Sequence, residues 1–309
     1  MKQGTVPVLI TWDVDPDRWA TYEHRQLAFS RALDLCEESG IRSTFFVTAN
    51  FAHEYPDHVK RTQAFGHEVG CHGLTHTDEE EYDRMPEGMQ RSYIEQATRA
   101  LEAVVGAPIL AFRSPRVKTS FHTLRLLAEY GYLADSSVCS QRIDFISSNL
   151  INPGWLVAPR RPYHPHETSP FKRGNLPIWE IPVSAMIVPF ISGSLNAFGL
   201  RFMKAYFRCL YAESIYTGKP IVYLAHPTEF ILSRGKVQSR LKDYLFDPKL
   251  FSPRYIRTHG LLARNLLRGM DGEILFNCSG ELFAYMTSFP RVACMTISEY
   301  VVQSLQRTS

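Results

Sequence analysis

The sequence contains no long hydrophobic run. Its apolar stretches are all shorter than the roughly eighteen residues that a membrane-spanning helix needs, so no segment is predicted to cross a membrane. The opening residues, MKQGTVPVLITWDVD, lack the longer apolar core and the small-residue cleavage site of a secretory signal. We therefore expect the protein to be cytoplasmic.

Paired cysteines and an excess of one charge are also missing. The 6 cysteines are widely scattered without a C-x-x-C pair, which indicates reduced and mostly buried thiols. The 34 basic and 31 acidic residues leave a formal charge of only +3, which argues against a nucleic-acid partner. With 45% apolar residues, the composition is that of an ordinary globular protein.

The N-terminal part of the chain alternates between strand-like and helix-like patterns. Strands are predicted at residues 6–11, 43–48, 68–71, 109–113 and 132–135, with helices at residues 25–39, 58–65, 87–105 and 119–130. This alternation indicates parallel β-α units and an α/β fold. Several polar residues follow these strands directly, at the edge where barrel enzymes build their active sites.

The remaining chain is less regular. Residues 140–177 are predicted to form a long loop, followed by a strand at 178–183, a helix at 200–217 and a strand at 221–225. From about residue 254 the tail is predicted to be helical apart from one strand at 273–276, and Thr296 and Glu299 have the spacing of a capping box. No repeat or linker indicates a second domain, so we expect residues 1–309 to form one domain that residues 230–309 complete.

The segment GHEVGCHGLTH at residues 66–76 contains the strongest chemical signal. His72 and His76 are four residues apart, a spacing that on a helical turn points two imidazoles the same way, as a shared metal ion requires. Such pairs also arise by chance on surfaces and in cores, but the flanking glycines and the preceding strand favour the metal. Cys71 is predicted to lie in the core, because neighbouring strand residues face opposite sides, and His67 is interpreted as structural.

Asp13 and Asp15 follow the first predicted strand. A hydrolytic metal site commonly has three protein ligands and keeps one position for water, and two histidines with one aspartate meet that number. The other aspartate can then act as a general base. The alternative is that both aspartates cap a turn, which the later histidine pair makes the weaker interpretation.

Five segments, taken in order, resemble the motifs of the polysaccharide deacetylase family (carbohydrate esterase family four). They are TWDVD, HGLTH, RSP, DSS and YLAHPTEF, and the resemblance covers residues 6–229. It implies a distorted (β/α)7-type barrel with a His-His-Asp metal site. The D-x-D form of the first segment and the sequence WEIPVS at residues 179–184 resemble the branch of exopolysaccharide and lipid-linked sugar deacetylases.

The resemblance implies which residues hold the metal and which provide the base. Asp15, His72 and His76 would hold one divalent ion. Zinc is the first expectation, and cobalt or another divalent ion is the alternative. Asp13 would be the general base, and Arg113 would hold it in place because a fixed positive charge keeps a neighbouring carboxylate ionised.

The resemblance also implies an acid and a substrate groove. His226 would be the general acid, and Asp135 would line the groove and support that acid. Substrate contacts are predicted for Pro115, Leu224 and Trp179. The implied reaction is the hydrolysis of an N-acetyl or other N-acyl group on an amino sugar of a glycan or glycolipid.

Two basic segments have a functional and a structural interpretation. Arg160 and Arg161 would hold a phosphate or uronate of the substrate, or would simply be solvated. Residues 186–211 contain a basic amphipathic helix that would lie on a membrane surface or, more commonly for a barrel helix, pack on the core.

Three other functions fit parts of the pattern. An amidohydrolase acting on a small non-sugar amide or formamide, such as an allantoinase or deformylase, would use the same barrel and metal. An iron oxygenase also binds its metal through two histidines and a carboxylate, but would not need Arg113 and His226. A binding protein without catalysis is disfavoured, because every motif keeps a chemically competent residue.

Overall fold

The computed structural model describes residues 4–15, 20–143, 152–231 and 269–306, together with residues 252, 253 and 256. Within these residues, eight parallel strands form one curved sheet. The strands are β1 (Val6–Val14), β2 (Ser43–Val47), β3 (Glu68–Cys71), β4 (Ala111–Phe112), β5 (Ala134–Asp135), β8 (Trp179–Glu180), β11 (Ile221–Ala225) and β12 (Val292–Cys294). Two small antiparallel pairs lie outside this sheet: β6 (Pro165–His166) with β7 (Ser169–Arg173), and β9 (Ala185–Met186) with β10 (Val188–Pro189).

The sheet is covered by helices that connect its strands. They are α1 (Tyr22–Glu38), α2 (Ala49–Glu54), α3 (Pro56–Ala64), α4 (Glu87–Val105), α5 (Phe121–Glu129), α6 (Pro153–Val157), α7 (Ser192–Thr217), α8 (Gly272–Thr287) and α9 (Ile297–Tyr300). The strand order is β11-β1-β2-β3-β4-β5-β8, with β12 paired to β1. The result is the distorted (β/α)7-type barrel in a single domain that the sequence predicted.

The first strand is the centre of the molecule. All nine residues of β1 are buried, and the strand pairs with β11, β2 and β12. A parallel strand covered on both faces needs apolar residues on both, which is why VPVLITW precedes the aspartates. Alternate side chains then face either the barrel interior or the surrounding helices.

Most predicted elements are confirmed, and the exceptions have physical reasons. The strand predicted at residues 273–276 is wrong, because these residues belong to helix α8. Its apolar residues are strand-like one by one, yet Leu275, Leu282 and Met286 are buried at helical spacing. The tail strand is instead β12, and the predicted capping box of Thr296 and Glu299 begins α9.

The long loop predicted at residues 140–177 contains more structure than expected. Its described part holds α6 and the pair β6–β7, whereas residues 144–151 lie outside the described residues. Much of the predicted helical tail, from residue 257 to residue 268, also lies outside them. The short lengths of α6, β6 and β7 explain why periodicity did not reveal them.

Helix α7 begins earlier than predicted and packs on the barrel. It starts at Ser192 and is interrupted at Gly199, whose φ of +81° breaks the helical geometry. Phe207 and Leu210 are buried, while Lys204 pairs with Glu281 of α8 at 3.4 Å. Among the described residues, no helix is long and apolar enough to cross a membrane. The membrane-surface interpretation of residues 186–211 stays a prediction.

Candidate metal centre

The polar residues singled out in the sequence gather at the carboxyl ends of the parallel strands. Asp15 directly follows β1, His72 follows β3, Arg113 follows β4 and His226 follows β11. In parallel barrels the loops at this edge carry the reactive side chains, because all strands end there.

Val14, which separates Asp13 from Asp15, explains why the two aspartates face the same site. Val14 is still part of β1, pairs with Val47 and is buried in the apolar layer with Trp12. Because strand side chains alternate, Asp13 and Asp15 both point away from that layer. A D-x-D pair at the end of a strand therefore places two carboxylates on the interior face.

Three ligand atoms from Asp15, His72 and His76 lie within 4.8 Å of one another. The Oδ1 atom of Asp15 is 3.2 Å from Nε2 of His72 and 3.4 Å from Nε2 of His76. Nδ1 of His72 lies 2.7 Å from the carbonyl oxygen of Arg113, which only accepts, so Nδ1 carries the proton and Nε2 keeps its lone pair. The predicted trio is thus brought together.

The three side chains fit a divalent cation. Oδ1 of Asp15 is buried and has no hydrogen-bond donor among the described residues, which leaves this oxygen for a metal. One carboxylate and two imidazoles form the usual three-ligand set of catalytic zinc sites. The side chains of Asp15 and His76 remain 24% and 15% exposed, so the cluster is open on one side to water and substrate.

The charges and burial of these side chains favour a bound positive charge. Burial alone raises the pKa of Asp15, but the nearby imidazoles of His76, His72 and His226 hold it well below its usual range. Burial lowers the pKa of His76 to about 4, so this imidazole is neutral near pH 7 and its nitrogen can bind a metal. Burial also works against a charged His72, yet Asp13 and Asp15 raise its pKa above the usual value.

Glu80 supports the loop that carries the two histidines, and the sequence analysis missed it. Its buried carboxylate accepts the backbone N–H groups of Leu74, Thr75 and His76, each at 2.7 Å, and the hydroxyl of Tyr82 at 3.1 Å. Gly73 has φ +83°, and a Cβ there would lie 2.4 Å from Oε1 of Glu80. Within the acidic run DEEE, no sequence signal separates the buried Glu80 and Glu81 from the exposed Glu79.

Arg116 ties the same loop to the third motif. Its guanidinium donates to the carbonyl oxygens of Thr77 at 3.1 Å and His76 at 3.3 Å, and it pairs with Asp78 at 3.4 Å. The turn that follows the RSP motif therefore also holds the backbone of His76, a predicted metal ligand. His76 itself has φ +57°, a conformation that these contacts maintain.

The predicted base is held by a fully buried arginine. Nη1 of Arg113 donates to Oδ1 of Asp13 and to the hydroxyl of Thr11, both at 2.8 Å. The guanidinium also donates to the backbone and side chain of Ser136 and lies over the ring of Phe46. Oδ2 of Asp13 is 3.9 Å from Nε2 of His72, so the carboxylate borders the ligand trio without belonging to it.

His226 and Asp135 are placed differently from one another. His226 is partly buried at the end of β11 and close enough to Asp15 to affect its pKa. Asp135 is fully buried, accepts the hydroxyl of Ser137 at 2.6 Å and is the register partner of Glu180 on β8. Support of His226 by Asp135 stays a prediction.

The predicted substrate contacts separate into two groups. Leu224 is the register partner of Thr11 and faces the same interior, and buried Pro115 begins the turn after Arg113. Trp179 lies 3.8 Å from His164, measured between ring centroids, and remains partly exposed.

The two arginines of the basic loop do not share one environment. Arg161 is exposed, whereas Arg160 pairs with Glu213 at 2.7 Å, and Glu213 also binds Lys219 at 2.8 Å. Lys219 precedes β11, whose opposite end leads to His226. Substrate binding by Arg160 and Arg161 stays a prediction, with Arg160 already paired to a carboxylate.

Comparisons with known proteins agree with this architecture. The family model described as "Polysaccharide deacetylase" matches residues 2–134, which include the first three motifs. A chitin deacetylase from Pestalotiopsis sp is 30% identical over 138 residues, which cover 42% of this chain and 45% of that relative. The chain thus spans less than half the length of this curated relative.

Two solved structures share the fold over nearly the whole chain. A Mycobacterium smegmatis protein assigned as a polysaccharide deacetylase has a TM-score of 0.64 at 19% identity, covering 100% of this chain and 93% of that one. The PuuE allantoinase has a TM-score of 0.61 at 15% identity, covering 98% and 92%. At these identities the likeness describes the fold alone. The family model over residues 2–134, the ordered motifs and the shared fold together show that the chain is similar to the polysaccharide deacetylase family, with the sequence match lying in its N-terminal part.

Proposed function

We propose that this protein is a metal-dependent hydrolase that removes an N-acetyl or other N-acyl group from an amino sugar. The observation that carries the proposal is the ligand trio Asp15, His72 and His76 directly beside the Asp13–Arg113 pair, with 3.9 Å between Asp13 and His72. A metal site next to an independent, oriented carboxylate is the arrangement that amide hydrolysis by water requires.

Asp15, His72 and His76 would hold one divalent ion, and zinc fits this donor set best. When bound, the ion supplies Lewis-acid chemistry, which makes water more acidic and an acyl carbonyl more electrophilic. The partial exposure of Asp15 and His76 leaves the open side of the cluster for substrate.

The side chains around the trio divide the proton transfers. Asp13 accepts a proton from the attacking water, and Arg113 keeps its carboxylate ionised and aimed at the site. His226 donates a proton to the departing nitrogen, which leaves as an amine while the acyl group leaves as a carboxylate. Leu224, on the interior face next to Thr11, would contact the acyl methyl group.

The substrate class follows from the family. The chitin deacetylase relative acts, by its name, on chitin, so N-acetylglucosamine units are the first substrates to test. The D-x-D motif and WEIPVS favour a lipid-linked or exopolysaccharide sugar within this class.

The first experiment combines metal content with a substrate screen. One equivalent of zinc or another divalent ion is expected in the wild type and not in His72→Ala, together with acetate release from N-acetylglucosamine oligomers by the wild type only. Folded protein that binds no metal after reconstitution would overturn the proposal.

The screen also includes allantoin, formamides and oxygen consumption. The PuuE allantoinase shares the fold, so hydrolysis of allantoin without acetate release would reassign the site to small non-sugar amides. Bound iron with oxygen consumption would reassign it to an oxygenase.

A further inference from the structure

Two buried carboxyl groups lie behind the segment RSP at residues 113–115. Asp135 and Glu180 are register partners on the adjacent strands β5 and β8, and both are 0% exposed. Oδ1 of Asp135 accepts the hydroxyl of Ser137 at 2.6 Å, and Oε1 of Glu180 accepts the N–H of Val138 at 3.0 Å. The remaining oxygens, Oδ2 of Asp135 and Oε2 of Glu180, are buried and have no N–H or O–H donor among the described residues.

The surroundings do not supply a second positive charge for this pair. Among the described residues, the charged and titratable groups facing it are Arg113, which already binds Asp13, and Tyr163, whose hydroxyl donates to Pro170. Burial raises the pKa of Glu180 well above its usual range, and the neighbouring Asp135 raises it further. Two ionised carboxylates that are buried next to each other would repel strongly. One proton held between them is therefore the stable arrangement.

We propose that Glu180 is a positioning residue that stays protonated at neutral pH, donates a hydrogen bond to Asp135 and thereby fixes the RSP segment. The effect on catalysis rests on the proposed function, whereas the shared proton does not. Asp135 is the intermediate contact: it orders Ser137, whose Oγ accepts the backbone N–H of Ser114 at 2.8 Å.

The same strand ends hold the arginine that orients the base. Nε of Arg113 donates to the carbonyl oxygen of Ser136, and its Nη2 donates to Oγ of Ser136, both at 2.8 Å. The hydroxyl of Ser136 donates in turn to the carbonyl oxygen of Ile181, next to Glu180. A shift of Glu180 would therefore move Arg113, and Asp13 with it.

The shared proton is tested by the pH dependence of stability, with wild type and Glu180→Gln compared at the same metal saturation. Glu180 has a raised pKa in the folded protein, so the stability of the wild type falls as pH rises from the ordinary carboxyl range toward the folded value. The glutamine variant carries a fixed N–H donor and takes up no proton. Between pH 5.5 and 8, roughly, the ratio of the two unfolding equilibrium constants should change about tenfold per pH unit.

Glu129→Gln is the control, because Glu129 is exposed on α5 and pairs with Arg91. Its pH dependence should match the wild type. Parallel pH curves for wild type and Glu180→Gln would overturn the proposal. If the variant does not fold, the infrared spectrum of the wild type at neutral pH decides: the carbonyl band of a protonated carboxylic acid is expected, and its absence overturns the proposal.

The positioning role is tested by conservative rescue. Glu180→Leu keeps the volume but removes the donor, so kcat for sugar deacetylation should fall about tenfold or more with little change in KM, and Glu180→Gln should recover most of the loss. Equal losses in both variants would overturn the positioning role. A wild type that deacetylates no sugar would contradict the proposed function instead, while the stability curves would still test the proton.

Discussion

Single side chains around the metal centre have separable tasks, because each contacts a different part of the site. Asp15 faces the two histidines, Asp13 faces Arg113, and Glu80 holds the loop backbone. The geometry therefore separates three proposed roles: Asp15 would bind the metal, Asp13 would accept a proton, and Glu80 would orient the loop that carries the metal-binding histidines. Substitution of each should change a different observable.

Glu80→Gln is expected to weaken metal binding without unfolding the protein. The amide keeps one acceptor oxygen and places its NH2 donor either against the N–H of Leu74 or against the N–H groups of Thr75 and His76, so the loop loses part of its hydrogen bonds. By analogy with other residues that orient metal ligands, zinc affinity should fall about 10- to 100-fold, measured by competition with a chelating dye. The neighbouring Glu79 is exposed, and Glu79→Gln should bind zinc like the wild type. Equal affinity in both variants would contradict this role.

Asp13→Asn should separate catalysis from metal binding. Its amide cannot accept the proton of water, so kcat should fall by about 10²- to 10⁴-fold, measured with an N-acetylated glucosamine oligomer. Metal content should stay near that of the wild type, because Asp13 lies beside the trio and not in it. Asp15→Asn is the matched comparison and should lose both metal and activity. Loss of metal in Asp13→Asn would contradict this assignment and indicate that Asp13 binds the metal while Asp15 acts as the base.

At the scale of the elements, close packing around strand β3 depends on one glycine. Gly70 of β3 lies where a Cβ would be 2.7 Å from the ring of Phe46 and 3.0 Å from the carbonyl oxygen of Ala111. Phe46 in turn lies under the guanidinium of Arg113, at 4.3 Å from the ring centroid. A glycine in this strand thus lets an aromatic ring support the arginine that holds the base.

Gly70→Ala is expected to destabilise the protein by about 1–3 kcal/mol, as overpacking of a tight core does. Chemical denaturation of the metal-loaded protein measures the change. The control is Gly88→Ala in the first turn of α4, where a Cβ would meet no atom within 4 Å and φ is ordinary. That substitution should be neutral or stabilise by roughly 0.5–1 kcal/mol. A Gly70→Ala variant as stable as Gly88→Ala would show that Phe46 moves aside freely.

At the scale of the whole molecule, the stability of the fold is expected to depend on metal binding, because the three proposed ligands come from segments that are distant in sequence. Asp15 follows β1 and the histidines follow β3, so a bound ion cross-links two parts of the barrel. A ligand that binds only the folded state stabilises it by about 4 kcal/mol at a thousand times its Kd. Saturating zinc should therefore raise the Tm, and chelation should reverse the rise.

His72→Ala controls for unspecific effects of zinc, and its Tm should not respond to the ion. A response of equal size in the variant would place the stabilising site elsewhere on the protein. The measurement needs no substrate, so it tests the metal centre apart from the reaction.

Much of this protein was determined by local sequence. The apolar runs of β1, β2, β3 and β11 and the periodicity of α1 and α4 predicted a parallel sheet covered by helices, because long buried elements have strong patterns. The barrel itself was implied by the family resemblance. The motif residues Asp13, Asp15, His72, His76 and Arg113 were found from their types and their places after strands. The pattern failed at residues 273–276, where a short run of three apolar residues after Glu273 is compatible with a strand or a helix.

Only the tertiary structure decided how these residues combine. It placed Asp13 and Asp15 on one face through the buried Val14, and it paired Arg160 with Glu213. It also buried Glu80 beside the exposed Glu79, and it paired Glu180 with Asp135 on the adjacent strand. The physical reason is that the environment of a carboxyl group depends on contacts made across the fold, which spacing along the chain does not contain.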